Sequence, residues 1–280
     1  MNTRIAPSPT GFAHIGFART AYVNYIAAKS TGGQFIVRID DTDKERSKKE
    51  YEDSIIKCLD WLGIKADNLF RQSERAERYK EVVDDLLSKE VLHRDDSGAI
   101  SLISNYTIDH WDDSILGRID IPEKLFDNQV KSMVLVRPSG DPVYHLASVI
   151  DDIDFDIDWV IRGNDHLTNT SKHVYIYDAM SAQLPKFTHL GLIFSNGKKI
   201  SKRDNLFSMD EYDQYNPSAV KNALLKLGWS HKDANIDKIH PLIDTDLAIQ
   251  LFDEGNLRCQ KSSIDVDKLK WLDKKYNNLK

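Results

Sequence analysis

The segment Arg4-Ile5-Ala6-Pro7-Ser8-Pro9-Thr10-Gly11-Phe12-Ala13-His14-Ile15-Gly16-Phe17-Ala18-Arg19-Thr20 constrains this chain more than any other. Arg4 to Ala6 reads as a short strand. Pro7 and Pro9 cannot continue it, because proline fixes φ and has no N–H to give to a ladder. Ile15 opens a helix that runs to Lys29 and stops at Gly32-Gly33, where glycine accepts the left-handed backbone of a helix end. A strand, a tight loop and a helix N-terminus in that order aim backbone N–H groups and the positive end of the helix dipole over the strand end, a natural seat for a phosphate. His14, just before the helix, is placed to face that anion. Taken alone, a histidine there more often caps the helix or faces solvent.

The following residues repeat the alternation. Gln34 to Asp40 is apolar and partly β-branched and ends in the acidic Asp41-Thr42-Asp43, which predicts a buried strand. Ser47-Lys48-Lys49-Glu50 has the spacing of a capping box, and Tyr51, Ile55, Leu59 and Leu62 share one face of the helix that follows. A second long helix is expected from about Ser73 to Leu92, with Val82, Val83, Leu86 and Leu87 inward. Regular pattern returns at Met133 to Arg137, Tyr144 to Ile150 and Trp159 to Arg162, then in a helix from about Thr170 to Ala182. Strands and helices alternating at these lengths predict an α/β fold with a doubly wound parallel sheet of Rossmann type. His93 to Lys131 is polar and helix-poor and reads as a short insertion rather than part of the sheet. The run Asp151 to Asp158 resembles a metal cage, but its alternation with Ile153, Phe155 and Ile157 predicts a half-exposed segment with its acids in water. A boundary near Phe194 precedes a C-terminal helical domain with helices at Pro217 to Leu227, Asp246 to Phe252 and Val266 to Tyr276. The chain thus divides into residues 1–92, 93–131, 132–194 and 195–280.

Composition narrows the function. The 280 residues carry a formal net charge of −6, so any nucleic acid must be held by a local basic surface. No ~20-residue apolar run or signal-peptide pattern is present, which predicts a cytoplasmic protein without a membrane partner. Cys58 and Cys259 are far apart and build neither a disulfide framework nor a four-cysteine zinc site; no structural zinc and no protein metal ligands are expected.

A second motif, Gly197-Lys198-Lys199-Ile200-Ser201-Lys202-Arg203, gathers lysines and an arginine around a glycine and a serine. Together, His14-Ile15-Gly16-Phe17 and Lys199-Ile200-Ser201-Lys202-Arg203 resemble the paired signatures of class I aminoacyl-tRNA synthetases. Each is weak singly; in this order and separation they are specific. The resemblance covers nearly the whole chain and points to glutamyl-tRNA synthetase and its shorter relatives, including the glutamyl-queuosine tRNA(Asp) synthetase. It extends through Phe35 to Arg46, Gln72 to Arg75, Tyr144 to Asp152, Val160 to His173 and Lys268 to Leu272. It implies a form without the family's C-terminal anticodon-binding domains.

The resemblance also implies roles. Arg4, Ala6 and Ser8 match positions against the amino acid, Asp40 stands where glutamyl enzymes usually have Glu beside the substrate ammonium, and Tyr144 lines the pocket. Ser148 stands where many have Asn, and Arg162 matches the arginine that receives the glutamate side-chain carboxylate. Asp165 and His166 fall near the ATP ribose and base. His14 and Gly16, with Lys199, Ser201 and Lys202, hold the phosphates; Phe17 replaces the second histidine of the first motif. The implied activity is ATP-dependent activation of L-glutamate as the adenylate, with Mg2+, followed by transfer to the 3′ end of tRNA by a monomer. Residues 93–131 would be a shortened acceptor-binding insertion, with Asp95, Asp96, Asp109, Asp112, Asp113 and Asp120 against few cations, a poor clamp for RNA phosphates. Lys268, Lys270, Lys274 and Lys275 are the alternative RNA surface. Transfer to a modified tRNA base of the queuosine type or to a non-tRNA amine stays open, as does a non-catalytic synthetase-like binding protein.

Overall fold

The computed structural model describes residues 1–195, 198–199, 208–231, 236 and 240–279. Gly197, Ile200, Ser201, Lys202 and Arg203 of the second motif lie outside the described residues.

β1 (Thr3–Ile5), α1 (Ile15–Ser30), β2 (Phe35–Ile39), α2 (Lys49–Trp61) and β3 (Asn68–Arg71) follow one another as βαβ units with parallel strands. After α3 (Ala76–Ser88) come β4 (Leu92–Arg94), β5 (Ile100–Leu102), β6 (His110–Asp113), β7 (Gly117–Asp120), α4 (Glu123–Gln129) and β8 (Val134–Val136). Then α5 (Tyr144–Asp154), β9 (Trp159–Gly163), α6 (Leu167–Ala179) and β10 (Lys186–Leu190) restore the βα alternation. The central sheet has seven strands in the order β3-β2-β1-β9-β10-β6-β7, parallel except for the β6–β7 pair. The chain winds outward from β1 on one side and from β9 on the other, so the strand order reverses between them. The doubly wound α/β fold expected from the sequence is present. The rest consists of a hairpin of β11 (Phe194–Ser195) and β12 (Lys198–Lys199), then α7 (Pro217–Leu225), α8 (Thr245–Leu251) and α9 (Val266–Asn277).

Both faces of the sheet are covered. Ile36 and Val37 are adjacent on β2 yet belong to separate buried clusters, because successive strand side chains point to opposite faces. β2 is buried along its length for the same reason, which is why its pattern is continuous rather than alternating. On one face α1 packs against the sheet and carries α7 and α8 on its outer side. That sandwiching accounts for its near-complete burial, from Ile15 through Ala28, as expected of a helix covered all round.

Several expectations fail locally. Residues 110–120 are part of the central sheet: Asp113 pairs with Phe187 of β10, and β7 pairs with β6. Four residues of period-2 burial with an inward aspartate are too little pattern to read as a strand. β8 instead joins β4 and β5 in a separate antiparallel sheet. The expected helix from Ser73 to Leu92 starts as a 3₁₀ turn at Gln72–Arg75 and ends at Ser88; Glu90 takes φ 56°, and Leu92 begins β4. The capping box does not form, since Lys48 occupies the cap position without a side-chain bond and the Ser47 hydroxyl is buried without a partner.

The largest correction concerns the acidic run. Asp151 and Asp152 are not in water: they lie on α5 and are 1% and 4% exposed. Asp152 receives Arg4 Nε at 3.1 Å and Arg38 Nη1 at 2.8 Å. Asp151 receives Gln72 Nε2 and Arg75 Nε at 2.7 Å each and the Tyr79 hydroxyl at 3.0 Å. Arg38, in the middle of β2, also donates to Asp40 at 2.6 Å and to the Ser148 carbonyl and hydroxyl at 3.2 Å each. Burial would raise the Asp152 carboxyl, but Arg4 and Arg38 overcome it and hold it below the usual carboxylate range. The apparent alternation arises because α5 ends at Asp154 and Asp156 takes φ 49°, so a helix end and a turn mimic a strand.

Asp152→Asn should therefore leave two buried guanidinium groups short of charge. Urea unfolding is expected to show a loss of about 3–5 kcal/mol, the cost of removing one partner from a buried pair. A loss of only about 1 kcal/mol or less, as for an exposed pair, would show that this network does not hold α5 to the sheet.

Candidate active site

A cleft of about 430 Å³ opens where the strand order reverses, at the carboxyl ends of β1 and β9. Doubly wound sheets bind ligands there because the loops diverge from the two strands and leave a crevice. One wall comes from β1 and the residues after it, with Arg4, Ala6 and Ser8; the other comes from the end of β9 and the turn after it, with Arg162, Asp165 and His166. His14, Gly16 and Tyr144 complete the expected residues in its lining. Thus nine residues named from the sequence meet in one cleft, drawn from segments up to 162 positions apart in the chain.

Asp40 and Ser148 are not part of that lining. Asp40 is 3% exposed and bonded to Arg38; Ser148 is fully buried and also bonded to Arg38. Arg38 is thus a residue that sequence reasoning missed, although an arginine inside Phe-Ile-Val-Arg-Ile was the available signal. It stands between these two residues and Asp152.

His14 is the N-cap of α1. Its Nδ1 accepts from the Gly16 and Phe17 amides at 3.1 and 3.2 Å, which makes Nε2 the protonated nitrogen of the neutral ring. Two of the amides expected to face an anion are therefore taken by the histidine itself. The motif spacing has a steric basis: a Cβ on Gly16 would lie 3.0 Å from the folded-back ring. The same holds at the opposite wall, where a Cβ on Gly163 would meet the Asp165 carboxylate at 2.5 Å.

The described residues that flank the second motif lie against the first. Leu192 and Ile193 line the cleft before it. After it, Met209 N donates to the Ala13 carbonyl at 3.0 Å, and Ser208 bridges to His14. Lys199 lies in β12, paired with Phe194, while Ser201 and Lys202 are outside the described residues. Arg19, also unforeseen, lines the cleft and ties α1 to the C-terminal part by donating to the Leu227 carbonyl at 3.0 Å.

The electrostatics of the cleft are uneven. Arg4 and Arg38 are paired with buried carboxylates, as is Arg75. Arg162, 6% exposed, is not: it donates from Nη2 to the Thr170 hydroxyl at 2.6 Å and from Nε to His189 Nε2 at 3.3 Å, and its Nη1 has no partner. Burial and the Arg162 cation push His166 down to about 4, and burial with the Lys172 cation does the same to His145. Both rings are then neutral at pH 7. Tyr144 packs beside them, with ring centroids 5.3 Å from His145 and 6.4 Å from His166. The result is a cleft with a buried, unmatched guanidinium in its wall, suited to an anionic group that can accept a bidentate pair.

Comparison with known proteins agrees with this geometry. The family model of class I tRNA synthetases (E and Q), catalytic domain, matches residues 1–102 and 99–271. A glutamate–tRNA ligase of Francisella tularensis subsp. novicida is 36% identical over 99% of this chain, and one of Nitratidesulfovibrio vulgaris is 38% identical over 98%. The chain spans 66% of the length of each of these relatives. A solved glutamate–tRNA ligase of Elizabethkingia meningosepticum, in complex with its amino acid, superposes over all of this chain and 70% of its own, with a TM-score of 0.86 at 27% identity. With a switch-point cleft, a histidine-capped helix and the matching sequence model in agreement, the chain belongs to the class I tRNA synthetases (E and Q), whose catalytic domain it carries.

Proposed function

We propose that this protein activates L-glutamate with ATP to glutamyl-adenylate and transfers the glutamyl group to the 3′ end of tRNA. The observation that carries the reading is Arg162, a buried guanidinium in the cleft wall with a bare Nη1 and only neutral partners. The names of the relatives, glutamate–tRNA ligases at 36–38% identity, support it.

In this reading the amino acid lies across the ends of β1 and β9. Arg162 receives the side-chain carboxylate, and Arg4, Ala6, Ser8 and Tyr144 surround the rest. Asp40 and Ser148 act from behind, by fixing Arg38. The α-carboxylate attacks the α-phosphate of ATP in line and pyrophosphate leaves, so the protein supplies orientation and charge rather than a nucleophile. His14 presents Nε2–H toward the phosphates; Gly16 lets that ring fold back. Asp165 and His166 face the ribose and base. Lys199, Ser201 and Lys202 close on the phosphates from the other side. Magnesium bound with the nucleotide supplies charge neutralisation, and a cation that keeps most of its waters needs few protein ligands, which fits Asp165 as the one carboxylate in the described lining. No structural zinc is invoked.

For the acceptor, α9 offers exposed Lys268, Lys270, Lys274 and Lys275 beside an exposed Trp271, whose ring lies 5.6 Å from Lys275 Nζ. Cations beside an aromatic ring suit phosphate contact and stacking. We place the part of residues 93–131 that lies outside the central sheet as a shortened acceptor insertion, and residues 195–280 as the loop and helical part, in a protein that works as a cytoplasmic monomer. Among the described residues no helix is long and apolar enough to cross a membrane.

The test combines the protein with ATP, labelled glutamate and total tRNA. Label in ester linkage at a tRNA 3′ end is the expected result; label on a modified anticodon base, or none on RNA, would overturn the acceptor. Lys202→Ala should keep the fold and cut adenylate formation about 10²-fold, the scale of losing a charge aimed at the transition state; wild-type activity would remove the mechanism. Glutamate should be activated over glutamine by at least about 10²-fold, since an amide leaves the guanidinium poorly paired. Arg162→Ala should abolish that preference, and indifference to the substitution would remove Arg162 from the role.

A further inference from the structure

We infer that Asp113 and His189 are positioning residues that set how Arg162 reads the side-chain carboxylate of the substrate. The inference rests on the proposal that Arg162 receives that group. It brings β6, part of the segment expected to be an insertion, into the amino-acid site.

His189 is completely buried on β10, one strand over from Arg162. Its Nδ1 lies 2.7 Å from Asp113 Oδ2. The other oxygen, Oδ1, accepts the Ile115 and Leu116 amides at 2.9 Å each, so the carboxylate is anchored to its own turn and cannot rotate away. A carboxylate only accepts, and the hydrogen of the neutral ring therefore sits on Nδ1. Burial holds the ring below its ordinary pKa although Asp113 opposes this, so it is neutral at pH 7. Nε2 is left as a lone pair, and it faces Arg162 Nε at 3.3 Å and the Thr170 hydroxyl at 2.9 Å. Thr170 in turn accepts from Arg162 Nη2 and lies 3.3 Å from the His166 carbonyl.

This arrangement does two things to Arg162. It fixes the guanidinium plane through two of its three nitrogens, leaving Nη1 for the ligand. It also does so without a carboxylate, since the Asp113 charge acts one imidazole ring away. Arg4 and Arg38 show the contrast: each is bonded directly to aspartate. A guanidinium held by neutral acceptors keeps its charge uncancelled for an incoming carboxylate, as an outer partner tunes the group that touches the ligand.

Asp113→Asn tests this. Its amide can donate to Nδ1, moving the ring hydrogen to Nε2 and setting a donor against Arg162 Nε–H. The variant is expected to raise the KM and Kd for glutamate at least about tenfold and to shrink the glutamate-over-glutamine preference by a similar factor, with the KM for ATP and the Tm close to wild type. Assays are run with and without total tRNA. In ¹⁵N-histidine-labelled protein, the His189 signal should report Nδ1–H in the wild type and Nε2–H in the variant. A second pair guards against a folding failure: His189→Gln puts an amide oxygen where Nε2 was and should keep the preference within about threefold, whereas His189→Asn, which reaches only the Nδ1 position, should lose it. Unchanged glutamate constants, equal losses for glutamate and ATP, or an unmoved tautomer would overturn the inference while leaving the glutamate reading intact. A wild-type protein that does not prefer glutamate would overturn that reading and this one with it.

Discussion

Arg4, Arg38 and Arg75 are matched inside the protein by Asp40, Asp151 and Asp152, and the geometry of the cleft depends on that matching. Charged groups taken out of water are stable only when paired and hydrogen-bonded. Because the arginines come from β1, β2 and the turn before α3 while two of the aspartates come from α5, satisfying them holds α5 against the carboxyl ends of the strands. Tyr144, at the first turn of α5, is thereby placed in the cleft wall. Ser148, one turn on, is placed against Arg38.

The same matching does not reach Arg19, which is held by the Leu227 carbonyl, nor Arg162. The partners of Arg162 are a hydroxyl and an imidazole, and one of its nitrogens has none. An unsatisfied buried donor is costly, and a binding site is where such a cost is offset by a ligand. The helix N-terminus opposite works the other way. His14 takes the amides of Gly16 and Phe17, so much of the local positive field of α1 is spent on its own cap. In the proposed function the imidazole edge and the cations of the second motif therefore meet the phosphates.

α1 links these parts. Its N-terminus forms one wall of the cleft, its buried length lies on the sheet, and its outer side supports α7 and α8. Arg19 reaches from it to the Leu227 carbonyl. The described segment after the second motif returns to Ala13 through Met209, so Ser208 and Met209 are tied to the start of α1.

The sequence determined what local chemistry can write. Pro7 and Pro9 end β1, Ile15 begins α1, the continuous apolar run of β2 marks a strand covered on both faces, and His14-Ile15-Gly16 with Lys199-Ile200-Ser201-Lys202 carries the family. It also named Arg4, Ala6, Ser8, His14, Tyr144, Arg162, Asp165 and His166, which meet in one cleft. It misled where a pattern was short or borrowed from another period: β6 shows only Trp111 and Asp113 inward, and Asp151 to Asp158 imitates a strand by crossing a helix end. What only the tertiary structure decided is which charges meet. Asp113 looked like one of several acids in a polar stub, and His189 fell in a stretch to which the sequence assigned no element. Their contact spans 76 positions of sequence, and it exists because β6 pairs with β10 in the sheet. Pairing between distant strands is set by the packing of the whole chain, and no local periodicity records it.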